Sequence, residues 1–272
     1  MKVFISVDLE GISGVFAEAQ TTIGTVPYQG ACTYLRADVD AVIEGCLAAG
    51  ATEIVVADSH AQGANLAFEG LADCVTLVSG SPMPLSMMEG VDADCAAAML
   101  IGYHACAGTA AAVLEHTYTY DVLRVTVGDR EVGELGINAA VAGAFGVPVV
   151  LVSGDDKLAA EAQRLIPGVV TAVVKEGLLR TSARLLSPTA ARATLRESAQ
   201  RALSAPSFPE PLDFGADPLR MTFVRAEICD AACRCPGVTR LDGCTLEIQG
   251  ADYLASFGSF LACLALANGA AH

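Results

Sequence analysis

Basic side chains are scarce in this chain. Sixteen Lys and Arg stand against 31 Asp and Glu in 272 residues, a formal net charge of −15. A nucleic-acid binder needs a positive footprint to displace counterions from phosphates, so no nucleic-acid partner is expected. An acidic surface suits solubility and favours cationic ligands such as peptide N-termini. Long apolar runs are missing too. Although 53% of residues are hydrophobic, none of the runs reaches the ~18 residues of a membrane helix. Asp8 and Glu10 interrupt the N-terminus before a secretory h-region forms, and a cytoplasmic location is expected. No internal repeat or low-complexity tract is present. Histidine is rare: His60, His104, His116 and the last residue, His272.

Ten cysteines are present, but the chain is not a short disulfide scaffold. Cys32, Cys46, Cys74, Cys95 and Cys263 lie in alanine-rich or apolar surroundings and read as buried thiols. Cys229, Cys233, Cys235 and Cys244 are spaced C-x3-C-x-C-x8-C, which fits no common zinc module. They read as loop thiols, with a metal or disulfide role as the alternative.

The apolar pattern alternates between strand and helix lengths. Residues 2–9 read as a strand, 34–49 as a helix ended by Gly50, and 53–57 as a second, buried strand. Apolar runs at 74–78, 96–101, 148–152 and 169–174 read as further strands, with helices at 137–145 and 158–165. Residues 122–127 and 131–132 read as a hairpin. Strands alternating with helices make parallel sheets with right-handed crossovers. The expected fold is α/β, a mostly parallel sheet with helices on both faces, over residues 1–186. A smaller α+β part is expected over 187–272, completing the pocket and serving oligomerisation. It holds an amphipathic helix at 189–203, a proline-rich link, antiparallel strands at 221–226 and 245–249 and a closing helix at 254–266.

The stretch Ser6–Gly11, S-V-D-L-E-G, ends the first strand. Strand alternation puts Ser6, Asp8 and Glu10 on one face. Paired carboxylates repel and are costly to desolvate, so a cation or water must offset them. His60 directly follows the second strand and His104 a third. Ligands of open α/β sheets gather at this carboxyl edge. Two carboxylates and two imidazoles there make a zinc-type donor set, whereas each histidine alone would pass as a loop residue. Glu134 adds a carboxylate at a helix start, where complementing the helix dipole is its other reading. His116 is left for acid–base work near neutral pH. Asp58 either orients His60 or caps the following turn.

These residues resemble a known family. S-V-D-L-E-G, D-S-H at 58–60, G-Y-H-A at 102–105, G-E-L-G-I-N-A at 133–139 and S-G-D-D at 153–156 look like the zinc-dependent D-aminopeptidases of the DppA type, peptidase family M55. The resemblance runs through most of residues 1–190. It implies two zinc ions per chain, with Asp8 bridging and Glu10, His60, His104 and Glu134 completing the shells. It implies that His116 is the catalytic histidine, that the substrate is a short peptide with an N-terminal D-residue, and that the chain forms a homo-oligomer, a ring-based decamer. Glu115 stands where the family has a small residue, and a neighbouring acid favours imidazolium. Two other readings are a non-catalytic peptide- or metal-binding protein linked to dipeptide uptake and a metal-dependent amidase acting on non-peptide amides.

Overall fold

The computed structural model describes residues 1–269. His272 lies outside them.

The first strand, β1 (Lys2–Val7), sends Val3, Ile5 and Val7 into one core and Phe4 into another. Helix α1 (Val26–Ala48) covers the first core. It starts eight residues earlier than its apolar spacing indicates. Pro27 sits in its first turn and Thr25 caps it, accepting the Tyr28 N–H at 3.2 Å. In sequence that Pro reads as loop. Leu35, Val39 and Val42 of α1 are fully buried, worth roughly 1.5–3 kcal/mol each.

Strands β2 (Glu53–Asp58), β3 (Val75–Val78) and β4 (Ala97–Ile101) follow. The hairpin of β5 (Val122–Val127) and β6 (Arg130–Glu131) leads to α2 (Glu134–Ala144), β7 (Val149–Asp155) and α3 (Asp156–Leu165). Then come β8 (Val170–Leu179), β9 (Ser182–Leu185) and α4 (Pro188–Leu203). The chain closes with β10 (Leu219–Phe223), α5 (Ala226–Ala232), β11 (Val238–Arg240), β12 (Thr245–Ile248) and α6 (Tyr253–Asn268).

The large sheet has the order β3-β2-β1-β4-β7-β8-β9, parallel except for the final hairpin. Helices α1 and α4 cover one face, and α2, α3, α5 and α6 contribute to the core on the other. The α/β class with helices on both faces is thus what the molecule has. A second, antiparallel sheet has the order β11-β12-β10-β5-β6. The β5–β6 hairpin forms as its sequence indicates, yet it joins strands nearly a hundred residues away. Helix α4, in turn, packs against α1. Packing therefore crosses residue 186 in both directions. No described helix is long and apolar enough to cross a membrane.

In this order the chain leaves β1 toward β2 and β3, then returns to place β4 on the other side of β1. The crevice beyond the carboxyl ends of β1 and β4 is the switch point where ligands bind in doubly wound sheets. Two glycines close it. The Gly11 N–H donates to the Gly102 carbonyl at 2.6 Å, and a Cβ on Gly11 would lie 1.9 Å from the Tyr103 carbonyl oxygen. Gly102 has φ +72° and faces the Asp8 carbonyl. The loop carrying Asp8 and Glu10 is thereby pressed against the one carrying His104.

Candidate metal centre

All six side chains singled out from the sequence meet in this crevice. His60 Nδ1 lies 3.3 Å from Asp8 Oδ1 and 3.0 Å from Glu10 Oε2. His104 Nε2 lies 3.4 Å from Asp8 Oδ2 and 3.3 Å from Glu134 Oε1. His116 Nε2 is 3.7 Å from Glu134 Oε1. Asp8 thus stands between His60 and His104. Donor atoms of Asp8, Glu10 and His104 lie within 4.8 Å of one another, as do those of His104, His116 and Glu134. His116, set apart in sequence as an acid–base residue, therefore also stands within ligand distance.

The far nitrogen of each ring fixes its orientation. His60 Nε2 donates to the Thr21 carbonyl at 2.8 Å, His104 Nδ1 to the Ala105 carbonyl at 3.1 Å and His116 Nδ1 to the Leu114 carbonyl at 2.9 Å. A carbonyl only accepts, so each of these nitrogens carries a proton. The other nitrogen of each ring faces carboxylates, the arrangement of metal-ligating histidines.

Buried charge sets the electrostatics. Burial and the Glu10 charge push the Asp8 carboxyl up to about 7. Burial alone would lower both His60 and His104, but carboxylates outweigh it. Glu10 and Asp8 push His60 up to about 12, and Glu134 and Asp8 push His104 up to about 10. Those imidazoliums hold Glu10 and Glu134 below the usual carboxylate range against their burial. Protons on His60 and His104 offset part of the charge of three buried carboxylates, a task divalent cations perform more completely. Burial and then the His104 charge lower His116. The imidazolium expected from Glu115 is therefore not what the structure gives. Glu115 turns away to Arg180 at 3.5 Å and to the Gly108 N–H at 2.8 Å.

Asp8 Oδ2, Glu10 Oε2 and His104 Nε2 are buried and make no hydrogen bond. Buried polar atoms are almost always satisfied, so three orphans aimed at one space mark a missing partner. Carboxylate oxygens and imidazole nitrogens in this number suit zinc. The donor set fits the metal.

The site opens into a cavity of about 680 Å³. Asp8, Glu10, His60, His116 and Glu134 line its floor, and Leu261 and Leu264 of α6 lie on one wall. His104 lies beneath, stacked on His116 with ring centres 4.0 Å apart.

Residues 1–262 match peptidase family M55, described as D-aminopeptidase. A D-aminopeptidase of Bacillus subtilis (strain 168) is 36% identical over 269 residues, 98% of each chain. The chain belongs to the M55 D-aminopeptidase family. A solved structure described as the Zn-dependent D-aminopeptidase DppA from Bacillus subtilis, a self-compartmentalizing protease, superposes with a TM-score of 0.96 at 36% identity, covering 98% of each chain.

Two residues that shape this M55 site, Glu161 and Lys175, carry no signal in sequence. Glu161 of α3 accepts the Cys106 N–H at 2.9 Å and the Gly133 N–H at 3.3 Å, tying the segments that carry His104 and Glu134. Lys175 is buried, and its Nζ donates to the carbonyls of Glu10, Ile12 and Val15 at 2.5, 3.0 and 2.6 Å. Asp155 caps α3 and accepts the Val113 N–H at 2.7 Å, fixing the start of the His116 loop. Asp58 proves to be a cap: its oxygens accept from the Asn65 and Leu66 N–H groups and from the Asn65 side chain. Glu134 opens α2 and faces His104. Among the described residues, donors gather at metal-binding distance only in the two groups sharing His104. The cluster Cys229, Cys233, Cys235 and Cys244 forms no such group, and all four thiols are free.

Proposed function

We propose that this chain is a zinc-dependent aminopeptidase that binds two metal ions and removes an N-terminal D-residue, of the D-alanine type, from short peptides. The observation that carries the reading is the trio of orphaned donors, Asp8 Oδ2, Glu10 Oε2 and His104 Nε2, in a buried cluster. Asp8 would be shared by both ions, with Glu10 and His60 on one side and His104 and Glu134 on the other. Zinc supplies an acidified water and a Lewis acid for the peptide carbonyl. His116 lines the cavity with Nδ1–H held by the Leu114 carbonyl. Nε2 is therefore the atom that takes up and returns the proton during peptide cleavage. With its pKa lowered, the neutral form needed for that uptake prevails at neutral pH. The acidic floor favours a substrate with a free ammonium group. Preference for the D-configuration rests on the names of the relatives. Self-compartmentalization of the Bacillus protein supports a homo-oligomer here, and we extend this to a ring-based decamer acting in the cytoplasm.

Zinc-loaded protein is to be incubated with D-Ala-D-Ala, L-Ala-L-Ala and an acyl amide lacking a free amine. Release of D-alanine from the first alone is expected, and a chelator should abolish it. Equal cleavage of the L-peptide would remove the stereochemical part of the reading. Cleavage of the acyl amide would favour an amidase. Hydrolysis of none would favour a binding protein.

A further inference from the structure

His116 belongs to neither a strand nor a helix; it lies in the segment between β4 and β5. A loop side chain that transfers protons has to be held by something rigid, because small displacements cost rate. The segment is itself unrelaxed. Leu114 and Tyr118, on either side of His116, have φ of 52° and 61°. Neither is glycine, so the surroundings impose this left-handed backbone.

One residue touches the segment from several directions. Arg180 lies in the turn between β8 and β9. Its carbonyl accepts the Leu114 N–H at 2.9 Å, and the Leu114 carbonyl in turn accepts the Nδ1–H of His116. Its guanidinium is 3.5 Å from Glu115 and pairs with Glu18. The same group lies 5.0 Å from the centre of the Tyr120 ring. That ring sits 5.0 Å from the His116 ring, tilted by 56°. On its other face His116 stacks against His104 at 13°. The imidazole is thus held between His104 and Tyr120, with Arg180 behind Tyr120. Arg180 is not among the residues lining the cavity.

We propose that Arg180 is a positioning residue, which holds the His116 ring through Tyr120 and Glu115 without touching substrate. Each contact alone would be weak at a partly exposed site. Their convergence on the segment around one imidazole gives them an effect on rate. The proposal rests on His116 being the proton-transfer group.

The test is R180A in the zinc-loaded enzyme, with H116A assayed beside it. A fall of about tenfold or more in kcat is expected, with KM and zinc content as in the parent protein. R180K should recover part of the loss, because an ammonium still reaches Glu18 and the Tyr120 face but lacks the planar fork. In a Y120A background R180A should cost much less, since the route is already broken. Unchanged kcat in R180A with an inactive H116A would overturn the role of Arg180 alone. Full turnover in H116A would overturn the role of His116 and this proposal with it. A rise in KM or a loss of zinc in R180A would place Arg180 on the substrate or metal shell and contradict the proposal. If R180A does not fold, R180K and the Y120A pair carry the same decision.

Discussion

Replacing Asp8 by asparagine is expected to strip zinc from the protein and lower turnover by about a thousandfold or more. The substitution keeps size and shape and removes one unit of charge. At about 4 Å and an effective dielectric near 20, a unit charge is worth about 4 kcal/mol, close to a thousandfold in affinity. Asp8 stands between His60 and His104, so both halves of the site lose that attraction. Metal analysis and turnover measured together check this, and a D8N protein with full zinc and parental turnover would contradict it. The loss should not come from unfolding. Burial and Glu10 hold the Asp8 carboxyl up at about 7 against an ordinary 3.8. Between those values the metal-free native protein keeps a proton that the unfolded chain has lost, so stability falls as pH rises through this window. D8N removes that fall. Metal-free D8N is therefore expected to melt at or above the temperature of the metal-free parent at pH 8.

The second large effect concerns His116. Substitution by alanine is expected to lower kcat by about 10²–10⁴-fold, the usual range for a removed general acid or base. Zinc content should stay that of the parent. His116 borders the cavity, whereas His104 beneath it does not. Because His116 also stands within ligand distance of Glu134 and His104, the metal measurement decides between roles. Lost turnover with zinc retained supports proton transfer. Loss of zinc would make His116 a ligand, and unchanged turnover would remove it from the chemistry.

The convergence of these candidate site residues is legible because each member announces itself locally. Asp8 and Glu10 alternate at a strand end, and His60 and His104 follow apolar strands directly, so the rule for open sheets brings them together. Glu134 directly follows Gly133 at a helix start, with Gly136 two residues on. Lys175 had no such mark: it holds the Glu10 loop from 165 residues away, and a lysine on a strand gives no periodic signal. Glu161 and Arg180 are equally silent, since they act on backbone groups and ring faces that only the folded chain juxtaposes. The same physics explains the fold. The α1 core face was legible from Leu35, Val39 and Val42, but its first turn was hidden by Pro27. The β5–β6 hairpin was legible from alternation and its turn, but its place in the second sheet depends on β10, far along the chain. Residues 226–232 form a helix and 238–240 a strand; both are too short for periodicity to separate from loop.

The most direct measurement is anomalous X-ray diffraction at the zinc edge from crystals of the zinc-loaded protein. Two peaks per chain are expected, about 3.5–4 Å apart, one on either side of the Asp8 carboxylate and each beside one of the rings of His60 and His104. No peak in the crevice, or zinc bound only at surface carboxylates or thiols, would contradict the account.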